Sequence, residues 1–244
     1  MNFKKLSVAL AAAAVLGAGS ANAALVNINN VTWDTASVLE FTASSTLLEN
    51  VVTTAGGELS GFGVITSLNG NGSFCIGCEL TYTFSGYLLD AAYPLVANSP
   101  FSFSGGTFQF YVSAPNSDLN TGAGFADGTP WLTLVGGNVN GGSAGSLTGS
   151  ITDPAELSGQ GTGYLNVAGG LAAAYFDTNL RGNGNDFFFT SEFQPLTTPV
   201  GDKTHVGSAT IRGRSQAVPE PGILALLGMG IAGLGVARRN KKQA

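Results

Sequence analysis

The chain has 244 residues, of which 10% are charged, 44% are hydrophobic and 36 are glycine. That apolar content can bury a core, which excludes wholesale disorder. A formal charge of −5 excludes a nucleic-acid binder held by phosphate contacts, and a single His with two Cys excludes most metal enzymes that use soft ligands. The charge is unevenly placed. Lys4 and Lys5 open the chain, Arg238, Arg239, Lys241 and Lys242 close it, and no Lys or Arg stands between Leu25 and Leu180. From Leu25 to Ala217 there are fourteen acids and four bases, four minus fourteen, so this body carries −10. Both basic clusters flank apolar segments, the pattern of addressing signals.

Met1 to Lys5 is a short positive region, Leu6 to Gly19 is apolar, and Ala21-Asn22-Ala23 supplies small residues at Ala21 and Ala23 for cleavage. Residues 1–23 therefore read as a secretory signal peptide, and the mature chain is expected to begin at Ala24. The apolar stretch is too short for a spanning helix. Export places Cys75 and Cys78 in an oxidising compartment.

The body, residues 24–193, consists of short runs of period two broken by Gly, Asn, Ser, Thr and Pro. Leu80 to Tyr87, Thr107 to Val112, Trp131 to Val135 and Tyr164 to Val167 alternate, and Phe187-Phe188-Phe189 reads as a strand buried on both faces. Turn signals recur at Gly56-Gly57, at residues 69–72, at Gly105-Gly106, at residues 140–142 and at Asn183-Gly184. The pattern predicts an all-β fold, an antiparallel β-sandwich or jelly-roll-like body. Only Thr42 to Val52 and Gly170 to Tyr175 could host helix. Residues 194–217, rich in Pro, Thr and Gly, are expected to be a linker.

Few motifs in the body carry chemistry. Cys75-Ile76-Gly77-Cys78 fits the spacing of a redox dithiol, but that chemistry wants a strand before it and a helix after it. Here Asn and Gly precede and a strand follows, so the expected state is a small-loop disulfide at a hairpin tip. Gly141 to Gly145 fits the nucleophile-elbow string, yet it lies among Gly, Ser and Asn, and His205 is the sole His that could serve it. Asp177, Asn179 and Arg181 resemble the opening of an EF-hand loop, with Phe188 where the closing Glu belongs. No catalytic residue, metal ligand or cofactor is assigned. Irregular calcium sites on acidic loops stay open beside the plainer reading of a solvated acidic surface. Trp33, Trp131 and the tyrosines could stack on sugars, and core filling is the expected role.

At the C-terminal end, residues 218–244, Val218-Pro219-Glu220-Pro221 forms a strip that cannot continue a helix. The sixteen apolar residues from Gly222 to Ala237 would span about 24 Å as a membrane helix. The cluster Arg238, Arg239, Lys241 and Lys242 is a stop that stays cytoplasmic, leaving the body outside. Gly228, Gly230 and Gly233 match a dinucleotide fingerprint but sit inside this apolar run, where small residues serve close helix packing. The order of Pro-Glu-Pro, apolar helix and basic cluster resembles the PEP-CTERM sorting signal. The resemblance implies export across the inner membrane of a Gram-negative bacterium, transient membrane anchoring, processing by an exosortase near Pro219, and a final place at the cell surface or in the extracellular matrix. Gly163 to Val167, Ala172 to Asn179 and Asp186 to Ser191 are similar to the body of flocculation-associated PEP-CTERM proteins, which implies a role in holding cells together with exopolysaccharide. Cys75, Cys78 and residues 69–72 lie outside that second resemblance.

Three function classes follow. The first is a non-enzymatic surface or matrix protein that promotes aggregation, flocculation or biofilm with exopolysaccharide. The second is a calcium-assisted carbohydrate-binding module, and the third an exported glycan hydrolase, for which fourteen acids offer pairs the sequence cannot choose among. The expected partners are an exosortase, exopolysaccharide and, before processing, the membrane. Nucleic acid is not among them.

Overall fold

The computed structural model describes residues 25–138 and 145–216. The signal segment with Ala21 and Ala23, the sorting strip from Val218 to Pro221, the apolar run, the basic cluster and most of the Gly141–Gly145 string lie outside the described residues.

The chain forms β1 (Leu25–Ile28), β2 (Val31–Asp34), β3 (Phe41–Glu49), β4 (Glu58–Leu68), β5 (Glu79–Leu89), β6 (Pro100–Ser113), β7 (Thr129–Gly136), β8 (Leu147–Asp153), β9 (Ser158–Gly169), a short helix α1 (Ala173–Phe176), β10 (Phe187–Val200) and β11 (Lys203–Gly213). β3 to β11 pair antiparallel in chain order. β7 and β8 continue one another in the place between β6 and β9: Phe108 pairs Leu134, and Phe103 pairs Leu147 further along β6. β10 pairs β9, and β11 pairs both β10 and β3. The sheet thus closes on itself as an up-and-down barrel of eight strand positions.

This confirms an all-β antiparallel body and corrects its architecture. A jelly roll needs crossovers between distant strands, whereas each barrel neighbour here is next in sequence or closes the ring. The predicted linker is also corrected: residues 194–217 contain the end of β10 and all of β11. Pro195 and Pro199 had argued for a linker, but pairing along the β10–β11 ladder shifts between Pro195 and Val200, where missing amide donors cost little. Thr42 to Glu49, weighed as helix, is strand, as its Thr and Ser content favours. The other candidate yields the four-residue α1.

Apolar side chains alternate inward and Ser and Thr outward, as along β3 and β11, the reverse of a barrel that faces lipid. Among the described residues no helix is long and apolar enough to cross a membrane. An eight-position barrel is just wide enough to be filled by side chains. Tyr82, Phe84, Phe108, Phe110 and Phe189 form one contiguous ring cluster, with Phe84 and Phe108 stacked at 5.1 Å. Glycines in the wall make room for these rings: a Cβ on Gly63 would lie 2.6 Å from the Tyr82 ring and from the Thr46 carbonyl. The high glycine content is thus partly a packing device.

Candidate functional site

The barrel has two unlike ends. At one, β3, β5, β7 and β10 begin and β4, β6, β9 and β11 finish. The β1–β2 hairpin and α1 plug it with Trp33, Phe41, Trp131, Phe176 and Phe187, all buried and in ring contact. Trp131 Nε1 donates to the Ile28 carbonyl at 3.0 Å, which fixes the hairpin. Asp186, also buried, accepts the backbone N–H groups of Val167, Thr178 and Asn179 at 2.8, 2.7 and 2.6 Å and holds the α1–β10 connection. Both described termini leave from this end, and the Gln216 N–H donates to the Tyr175 carbonyl at 2.9 Å. Cys75 and Cys78 meet here in a disulfide with Cα atoms 5.1 Å apart, on the loop that pairs with the hairpin through Val31 and Cys75. Trp33 and Trp131 are core residues, as expected.

The opposite end holds two buried and perturbed groups, Glu49 and His205. Glu49 of β3 and His205 of β11 are register partners and both are buried. Burial pushes the Glu49 carboxyl up to about 8, against a smaller downward pull from the Lys203 ammonium. Burial also holds His205 below its ordinary value, opposed by the Glu156 backbone. Lys203 Nζ donates to Ser60 Oγ and Asp202, both at 2.8 Å. Glu49 lines an interior cavity of about 30 Å³, shared with Tyr87, Phe101, Phe108 and Ser191. That volume holds roughly one water molecule, and the Glu49 and His205 side chains are buried. Sequence reasoning did not single out Glu49, because its place in the barrel interior depends on the β3–β11 register.

The outer wall carries the most regular chemistry. Successive registers align Ser102, Thr148, Thr162, Thr190, Thr210, Ser44 and Ser67 in one row across β6, β8, β9, β10, β11, β3 and β4. Each of these side chains is exposed or half-buried. Two parallel rows flank it, each two residues along the strands. One contains Ser150, Gln160, Glu192, Ser208 and Thr46, and the other Tyr164, Phe188, Arg212 and Thr42. Tyr164 and Phe188 contact one another at 5.3 Å between ring centroids. Strands about 4.8 Å apart with a rise of about 3.4 Å per residue set a grid of roughly 5 by 7 Å. Within the three rows the charged residues are Glu192 and Arg212. A shallow depression on the same wall is lined by Gln160, Thr162, Thr190, Glu192, Ser208 and Thr210.

This surface can donate and accept hydrogen bonds at neutral groups along a line, with an aromatic pair at one side. Among the described residues no group of three or more His, Cys, Asp and Glu side chains gathers as metal ligands do. Within the EF-hand-like loop Asn179 Nδ2 donates to Asp177 Oδ1 at 3.3 Å, and Arg181 pairs outside it with Glu40 of the β2–β3 loop.

The chain carries a PEP-CTERM protein-sorting motif at residues 217–241. The motif implies an exported protein processed by exosortase and placed at the surface or outside the cell. No curated protein and no solved structure gives a significant match to the chain.

Proposed function

We propose that this exosortase-sorted chain is a non-catalytic surface or matrix protein that binds exopolysaccharide along its hydroxyl-lined wall and so promotes cell aggregation, flocculation or biofilm. The observation that carries the reading is the row from Ser102 to Ser67, with the Tyr164–Phe188 pair beside it. A neutral glycan offers hydroxyl donors and acceptors at each sugar and apolar ring faces for stacking. Each contact is weak in water, so a useful complex needs many at once along one chain. A row crossing seven strands supplies them without an enclosed pocket. Few charges on the wall keep the desolvation cost low. Glu49 and His205 are buried, which favours binding over hydrolysis.

The test uses protein recovered from the culture of an exporting, exosortase-bearing host. It is sedimented with exopolysaccharide purified from the same host, beside a triple variant Thr162→Asp, Thr190→Asp and Thr210→Asp. The wild type is expected to co-sediment saturably, and the variant to stay in solution while still folded. Equal sedimentation of both would refute the wall as the binding surface. Binding lost only with a chelator would favour the calcium-assisted module, and glycan shortened during incubation would favour the hydrolase.

A further inference from the structure

We propose that the plugged end of the barrel, through the loop tips that carry Val38, Leu39, Ile76, Leu171 and Leu180, seats on a lipid surface, the one that takes up the apolar run of the sorting motif. Among the described residues ten large apolar side chains are exposed, Leu88, Leu95 and Val96 at the far end, Val135 on the wall and six at the plugged end. Those six are Leu25, Val38, Leu39, Ile76, Leu171 and Leu180, with Val38 at 98% and Ile76 at 83%. They occupy different loops: Val38 and Leu39 between β2 and β3, Ile76 between β4 and β5, Leu171 before α1, and Leu180 before β10. Arg181 and Arg214 both pair with Glu40, which ties the Leu180 loop and the C-terminal exit to the Leu39 loop.

The covalent tether selects the occupant. Gln216 is hydrogen-bonded to Tyr175 on α1. The apolar run begins at Gly222, six residues further on. Six residues reach at most about 21 Å when fully extended. The plugged end is therefore held near any bilayer that takes up the apolar run, and the opposite end points away. Apolar tips at this depth gain by burial in the headgroup boundary, as interfacial segments do. The seat would orient the barrel with its hydroxyl wall standing out from the membrane.

The test reconstitutes the full-length chain into vesicles of zwitterionic and anionic phospholipid. An environment-sensitive fluorophore is placed, one site at a time, at Val38→Cys, Leu180→Cys and, as a control at the far end, Leu95→Cys. The expected result is that labels at 38 and 180 are blue-shifted and lose most of their emission to a lipid-borne quencher, while the label at 95 responds to an aqueous quencher. Adding Leu39→Asp and Leu171→Asp, both at exposed sites, should return the label at 38 to water while the chain stays anchored. The proposal is overturned if all three labels respond alike, or if the charged variant leaves the label at 38 in lipid.

Discussion

The buried Glu49 carboxyl makes stability depend on pH in a window where ordinary acids are silent. Its folded value is about 8 against an unfolded value of 4.5. The folded state therefore retains a proton that the unfolded state has lost, and stability falls as pH rises between these values. At about 1.4 kcal/mol per unit, the whole interval corresponds to about 5 kcal/mol. The cleanest part lies above pH 7. His205, depressed by burial, contributes stability that is lost as pH falls through and below its unfolded value of 6.5, so it is silent there. Tyr82 and Tyr87, both raised by burial, lower stability only as pH approaches their unfolded value of 10.0. From pH 7 to pH 9 the Glu49 proton is lost from the folded state, at a cost of about 1.4 kcal/mol. Urea unfolding of exported, processed protein, followed by the fluorescence of buried Trp33 and Trp131, reads this directly. The wild type should lose about 1.4 kcal/mol over that window. Glu49→Gln should match it at pH 7 and stay flat to pH 9. A flat wild type, or an equal slope in the variant, would refute the assignment.

Gly63→Ala forces a methyl against the Tyr82 ring and the Thr46 carbonyl, and a loss of about 1–3 kcal/mol is expected in the same urea assay. Asp186→Ala leaves three backbone N–H groups without their acceptor, and a loss of about 3 kcal/mol should appear with faster amide exchange at Val167, Thr178 and Asn179. Cys75→Ser opens a loop of sequence separation 3, so it should lower stability by only about 2 kcal/mol on the chain-entropy relation and leave export intact. Trp131→Phe removes the donor to the Ile28 carbonyl and shrinks the plug. Its cost, about 2–4 kcal/mol, should appear as loosening of the β1–β2 hairpin by hydrogen exchange.

Local chemistry was legible in the sequence where it rests on neighbours along the chain. The alternation of Leu80 to Tyr87 and Thr107 to Val112 announced strands that became β5 and β6. The Cys75–Cys78 pairing follows from a separation of three and an exported setting. Closure was not legible, because period two is shared by sandwiches and barrels. Only pairing such as Thr210 with Ser44 or Phe188 with Tyr164 tells them apart, over separations of more than a hundred residues in the first case. Pro195 and Pro199 misdirected the reading of residues 194–217, since their cost depends on whether a ladder partner awaits their missing donor. The hydroxyl rows were half visible. Thr42, Ser44 and Thr46 alternate in sequence, but their alignment with Thr210 and Thr190 is a product of register. Glu49 reads in sequence as one acid among fourteen. Its character comes from the barrel that encloses it.

Cell clumping tests the central claim most directly. The full-length chain and the Thr162→Asp, Thr190→Asp, Thr210→Asp variant are expressed in an exosortase-bearing, polysaccharide-producing host that lacks its own copy. Surface and matrix fractions are assayed for both proteins, and aggregation is scored by settling. The expected result is equal delivery, with clumping restored by the wild type alone. Equal delivery with equal clumping, or with none from either chain, would contradict the assignment of the wall as an exopolysaccharide-binding surface that holds cells together.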